Sequence, residues 1–138
     1  MAADLVLSLK NDPAEIARLA PLVDAFCARH GLAEATAAQF NLVLDEAITN
    51  IISYAYEDAG EHEISVRISL TRGALTAELV DDGREFDPLQ VTPPDLAAPL
   101  AERSVGGLGV HLMRRLMDDI SYRREGARNH LVLAKRIA

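Results

Sequence analysis

Between Phe40 and Tyr56, apolar side chains recur at Phe40, Leu44, Ala47, Ile48, Ile51 and Ala55, a helical period that makes a single stripe. A helix striped in this way has to lay that side on another layer of structure. Glu46 and Asn50, four residues apart, project on the same side of it, about 40° from each other around the axis. Ser53 and Glu57 extend that polar edge. A carboxylate and a carboxamide beside a buried face can hold a hydrated cation. The same pair also suits the wet side of an ordinary amphipathic helix.

The layer that covers the stripe is legible in the flanking segments. Leu5, Leu7 and Leu9 alternate with Val6 and Ser8 in a short strand from Asp4 to Lys10. Asn11-Asp12-Pro13 then starts a helix buried through Ile16, Leu19, Ala20, Val23, Phe26 and Cys27. Pro21 is expected to kink or split that helix, and His30-Gly31 to end it. The central helix follows from about Glu34 to Tyr56. Ile64, Val66, Ile68 and Leu70 alternate with polar neighbours, Thr71-Arg72-Gly73 turns the chain, and Ala74 to Val80 returns antiparallel. Gly107 to Asp118 resumes as a helix with Val110, Met113, Leu116 and Met117 inward. Strands at Ile120 to Arg124 and Asn129 to Arg136, joined through Glu125-Gly126-Ala127, close the chain. The order β-α-α-β-β-loop-α-β-β implies an α+β fold: a two-layer α/β sandwich, its mixed, mostly antiparallel sheet covered on one face by helices.

The length of 138 residues suits a single domain over residues 1–138, and 49% hydrophobic with 25% charged content is that of an ordinary globular protein. With aromatics at 4% and no Trp, the core has to be mainly aliphatic. A net charge of -7 argues against a nucleic-acid surface. Arg103, Arg114, Arg115, Arg123, Arg124 and Arg128 gather late, as a local anion site or a solvated face would require. Cys27, alone, forms no disulfide within the chain and reads as a small core hydrophobe, in keeping with a reducing cytoplasm. Neither a signal peptide nor a membrane span is expected.

Two further stretches carry chemistry. Asp81-Asp82-Gly83 directly follows a strand. An acid there can accept a hydrogen bond from an exocyclic amine, and the glycine lets a ring approach the backbone. Asp-Asp-Gly is also a common turn tripeptide. Gly106-Gly107-Leu108-Gly109 opens a helix, and exposed N–H groups at such a start suit phosphates. No Lys-Ser/Thr follows it and no strand precedes it, which excludes a Walker A loop and a dinucleotide fingerprint. Between the two stretches, residues 84–106 contain Pro88, Pro93, Pro94 and Pro99 and little periodicity, the mark of a lid or binding loop.

Taken in order, a Glu-x-x-x-Asn helix, a strand ending in Asp-x-Gly, a lid-like loop and a glycine-rich helix start resemble the Bergerat-fold (GHKL) ATP-binding module. The stretches from Asp81 to Pro88 and from Gly106 to Asp118 are especially similar to the anti-sigma-factor serine kinases of the RsbW and SpoIIAB type. The resemblance implies that Asn50 coordinates Mg²⁺ and that Glu46 is the general base for an incoming serine hydroxyl. It implies that Asp81 bonds the adenine amine of ATP while Gly83 makes room for the ring. Gly107, Leu108 and Gly109 would offer backbone N–H groups to the phosphates, and Arg103 would steady the terminal one. In this family the arginine usually sits one residue nearer the glycines. Three departures stand out: Glu85 replaces the second glycine after Asp-x-Gly, Arg128-Asn129 replaces the Gly-Thr pair of the last hairpin, and Tyr54 stands where histidine is common. Asn129 can still donate or accept toward adenine, directly or through water.

The activity implied is that of a protein serine kinase acting on a STAS-type anti-anti-sigma protein while sequestering a sigma factor or other regulator. The resemblance further implies a homodimer paired through the N-terminal strand and helix. A nucleotide-gated binding module without transfer is the alternative, and Glu46 favours the kinase over it. A detached histidine-kinase catalytic domain ranks last, because no helix bearing a phospho-acceptor histidine precedes the domain.

Overall fold

A computed structural model of the chain describes residues 3–56, 58, 60–71, 73–90 and 107–137. The first strand, β1 (Ala3–Lys10), leads through a short 3-10 turn (Pro13–Glu15) into α1 (Ile16–Arg29) and α2 (Glu34–Tyr54). The hairpin β2 (Glu63–Thr71) and β3 (Ala74–Asp81) follows, then α3 (Gly107–Leu116) and the hairpin β4 (Asp119–Glu125) and β5 (Arg128–Arg136). The expected lid falls largely outside the described residues; of its near end, Pro88–Gln90 forms a 3-10 turn.

The five strands lie in the order β1-β2-β3-β5-β4. The sheet, expected to be mixed and mostly antiparallel, is antiparallel at every described pairing. Two helices separate β1 from β2, so the chain returns to the sheet in the opposite sense. Between β3 and β4 the described residues hold the one α-helix α3, and β5 lies between the two strands and pairs antiparallel with both, so they run the same way. This arrangement sets Asp81, the last residue of β3, directly opposite Asn129 of β5, and Asn129 opposite Arg124 of β4.

The core is one aliphatic layer between sheet and helices. Phe40, Leu44, Ala47, Ile48 and Ile51 of α2 and the adjoining Ala55 are buried, as their spacing requires, against Ile64, Val66, Ile68, Leu79 and Leu133. From α1 come Leu19, Val23, Phe26 and Cys27, and from α3 Val110 and Met113. Burial pushes the Cys27 thiol upward, as for a packed, inert side chain. Asp12 caps the 3-10 turn that begins at Pro13, its carboxylate accepting from Ala14 N at 3.0 Å. Pro21 does not split α1, which is continuous from Ile16 to Arg29. The backbone bond that Pro21 cannot make would have ended on Ala17, and both residues are exposed, so water can satisfy the freed carbonyl while the buried stripe holds the helix.

After β3 the chain is strapped to the end of α2. Arg84 N donates to Ala55 O at 2.7 Å, and Arg84 Nε donates to Tyr54 O at 2.7 Å. Ala55 fills the position that a Cβ on Gly83 would occupy. The tight seat of this loop on α2 therefore requires glycine at position 83. Gly83→Ala is expected to destabilise the protein by about 1–3 kcal/mol through overpacking. Urea denaturation would read this, and a change within about 0.5 kcal/mol, typical of surface sites, would refute the close approach.

Candidate nucleotide-binding site

Three segments far apart in the sequence meet beside α2. Glu46 is half-buried on α2, and a Cβ built on Gly109 would collide with its carboxylate. The glycine stretch thus presses the first turn of α3 onto Glu46. That turn contains Gly107, Leu108 and Gly109, whose backbone N–H groups precede any intrahelical acceptor and carry the positive end of the helix dipole. One turn further along α2, Asn50 is 5% exposed and its Nδ2 has no hydrogen-bond partner among the described residues. It faces a small cavity that it shares with Asp81, Phe86, Tyr122, Asn129 and Leu131.

Asp81 closes the far wall. It is 4% exposed, and burial pushes its carboxyl above the ordinary range, opposed by hydrogen bonds from Asn129 and Gly83. Both bonds end on Oδ1: Asn129 Nδ2 donates at 2.9 Å and Gly83 N at 2.9 Å. Asn129 spends its other amide hydrogen on the Arg84 carbonyl at 2.8 Å. Its Oδ1 accepts from Tyr122 Oη at 2.5 Å, Arg124 Nη1 at 3.1 Å and Phe86 N at 3.3 Å. Asn129, expected to donate or accept toward a base, therefore has both donors committed inside the protein. Glu85 is exposed, and the residue that the loop turns toward α2 is Phe86, whose ring centre lies 5.5 Å from that of Tyr54. Arg114 ties α3 to the same loop, donating to Leu89 O at 2.8 Å.

Of the residues singled out in the sequence, Glu46 and Gly109 are in contact, and Asn50, Asp81 and Asn129 share one cavity. Gly83 adjoins Asp81, but the space it vacates is filled by Ala55. Arg103 lies outside the described residues. Tyr122 and Arg124 were not singled out as site residues. Alternation along β4 would have found them, since Ile120, Tyr122 and Arg124 share the face toward the helices.

The donor set suits an ion that brings most of its own ligands. Among the described residues no cluster of three or more His, Cys, Asp or Glu side chains is placed to hold a metal. A single amide that no protein group holds through its nitrogen fits Mg²⁺, which keeps several waters and takes substrate phosphates as ligands.

The sequence profile of the histidine kinase-like ATPase domain matches residues 9–135. A serine/threonine-protein kinase named BtrW, from Bordetella bronchiseptica, is 36% identical over 102 residues, covering 72% of each chain. A serine-protein kinase named RsbW, from Bacillus thuringiensis, is 35% identical over 97 residues, 67% of this chain and 59% of that one. The chain thus spans less than two thirds of the length of that Bacillus relative. Among solved structures, the RsbU and RsbW domains of a Mycobacterium tuberculosis protein align at a TM-score of 0.68 and 14% identity, covering 97% of this chain and 32% of that one. At that identity the likeness concerns the fold. No described helix is long and apolar enough to cross a membrane.

Replacing Asp81 by Asn keeps an acceptor for Asn129 and Gly83 but turns the other oxygen into a donor. Asp81→Asn is expected to weaken ATP binding at least about tenfold, the worth of one charged hydrogen bond. The raised carboxyl means that folding costs more once this group ionises, as pH rises through and above the usual carboxylate value. Asp81→Asn should therefore gain stability relative to wild type between pH 3 and pH 7. Calorimetry with ATP and urea unfolding at the two pH values would check both; a relative loss at pH 7 would contradict the sign.

Proposed function

The chain belongs to the histidine kinase-like ATPase domain family, and from that premise we propose that it is an ATP-dependent protein serine kinase. Its substrate is a serine of a STAS-type anti-anti-sigma protein, and it sequesters a sigma factor or another regulatory partner. The names of the BtrW and RsbW relatives support the reaction class. The observation that carries the reading is the contact of the Glu46 carboxylate with Gly109, one helical turn from the unpartnered amide of Asn50.

In this reading Asp81 accepts a hydrogen bond from the adenine amine, and the first turn of α3 offers its N–H groups to the phosphates. Asn50 holds Mg²⁺ through its amide oxygen. When bound, the ion supplies charge neutralisation at the transferring phosphoryl group. Glu46 orients the incoming serine and takes its hydroxyl proton. The serine oxygen bonds the terminal phosphorus while the bond from that phosphorus to ADP breaks, so atoms and charge balance. Arg103 steadies the terminal phosphate, and residues 84–106 form the lid. Two copies pair through the N-terminal strand and helix; β1 is an edge strand, with Val6 58% exposed. The protein works in the cytoplasm and binds neither nucleic acid nor membrane.

The test is phosphate transfer from Mg-ATP to a STAS-domain partner, with nucleotide affinity measured in parallel. Glu46→Ala should retain nucleotide binding and lose transfer by about 10²–10⁴-fold, the usual worth of a general base. Asn50→Ala should weaken binding of Mg-nucleotide but not of metal-free nucleotide. Transfer at the wild-type rate by Glu46→Ala would defeat the base assignment. Tight ATP binding by wild type with no transfer to any STAS partner would point to the binding-module alternative.

A further inference from the structure

The orientation of Asn129 leaves its amide no freedom to flip. On one side of it lie two acceptors, Asp81 Oδ1 and the Arg84 carbonyl; on the other lie three donors, Tyr122 Oη, Arg124 Nη1 and Phe86 N. Turning the amide over would set oxygen against oxygen at Asp81 and Arg84 and N–H against N–H at Arg124 and Phe86; the Tyr122 hydroxyl, which can also accept, is the one contact that would tolerate it. Arg124 is itself held by Gly83 O, to which Nη1 donates at 2.7 Å. Arg124, Asn129 and Asp81 form one row across three strands, and Tyr122 stands two residues from Arg124 on the same face.

Asp81, by contrast, has a symmetric side chain, and only its partners decide which oxygen points inward. With Oδ1 taken by Asn129 and Gly83, Oδ2 is the oxygen left for a ligand. We propose that Tyr122 and Arg124 are positioning residues for base recognition. Through Asn129 they lock the Asp81 carboxylate so that a pure acceptor meets the base, selecting an exocyclic amine over a carbonyl at the same position. The inference rests on the nucleotide-binding reading above and adds residues and a selectivity to it. Without the lock, the carboxylate can turn or carry a proton on Oδ2. A protonated Oδ2 is a donor, and a donor accommodates a base carbonyl. The sheet row is thus a specificity element.

Inosine triphosphate carries a carbonyl in place of the ATP amine and a proton on the neighbouring N1, so the change in the ratio of the two affinities between wild type and variant reads the lock. Wild type is expected to prefer ATP. Tyr122→Phe, which keeps the ring and removes the hydroxyl, should lower that preference about tenfold, mainly by improving relative binding of inosine triphosphate. Asn129→Asp places a second carboxyl against Asp81 Oδ1. The pair keeps the bond while it shares one proton, so the ATP preference should survive at low pH and fall as pH rises, whereas that of wild type should not fall. Thermal unfolding of each variant checks that it is folded. If both folded variants keep the wild-type ratio, or lose both nucleotides equally at every pH, the positioning role is wrong while the nucleotide site stands. If wild type binds neither nucleotide, the nucleotide reading fails and this inference with it.

Discussion

A carboxylate almost fully withdrawn from water is costly unless its oxygens are bonded, and the end of β3 is organised around meeting that cost for Asp81. Gly83 N and Asn129 Nδ2 serve one oxygen, and Arg124 stands behind Asn129, its charge favouring the ionised carboxyl. The two bonds on the carboxylate come from the turn after β3 and the start of β5, and Arg124 at the end of β4 bonds Asn129 in turn. A slip of β5 against β3 would orphan the carboxylate, so the burial of this one charge favours the register that sets Asn129 opposite Asp81. The side of the carboxylate left unbonded is the side that a ligand can use.

The stripe on α2 could be read from the sequence because helical spacing is local, and every residue in it is buried. Leu5, Leu7 and Leu9 were legible too, since their alternation needs only a sheet with one covered face; Leu9 is buried and Leu5 and Leu7 are half-buried. Asp81 and the glycine start of α3 were visible as types in an order. What joins them was not. Whether Asn129 faces Asp81 or a neighbour depends on the pairing of β3 with β5, a contact across 48 residues that no local period encodes. Gly83 shows the converse: a glycine after an acid looks like room for a ligand, and the backbone of Ala55 takes that room first. Pro21 was expected to kink or split α1 because propensity disfavours it there, and the helix is not split, since exposure of both ends of the lost bond lets packing prevail.

Both glycine contacts press on the same helix, which explains how a site built from three segments holds its dimensions. Gly109 rests on Glu46 and Gly83 rests on Ala55. The two footholds, Glu46 and Ala55, are nine positions apart, about 13–14 Å along a helix axis, a length of the order of a nucleoside triphosphate from base to phosphates. Asn50 lies between them on the same helix. In the proposed function, the end assigned to the base and the end assigned to phosphate are spaced by a rigid rod whose other side is the buried stripe. A substitution that tilts α2 on the sheet would move both footholds together, whereas one in the turn at Gly83 or in the start of α3 would move one alone. The spacing of the two footholds is set by α2, on which both rest.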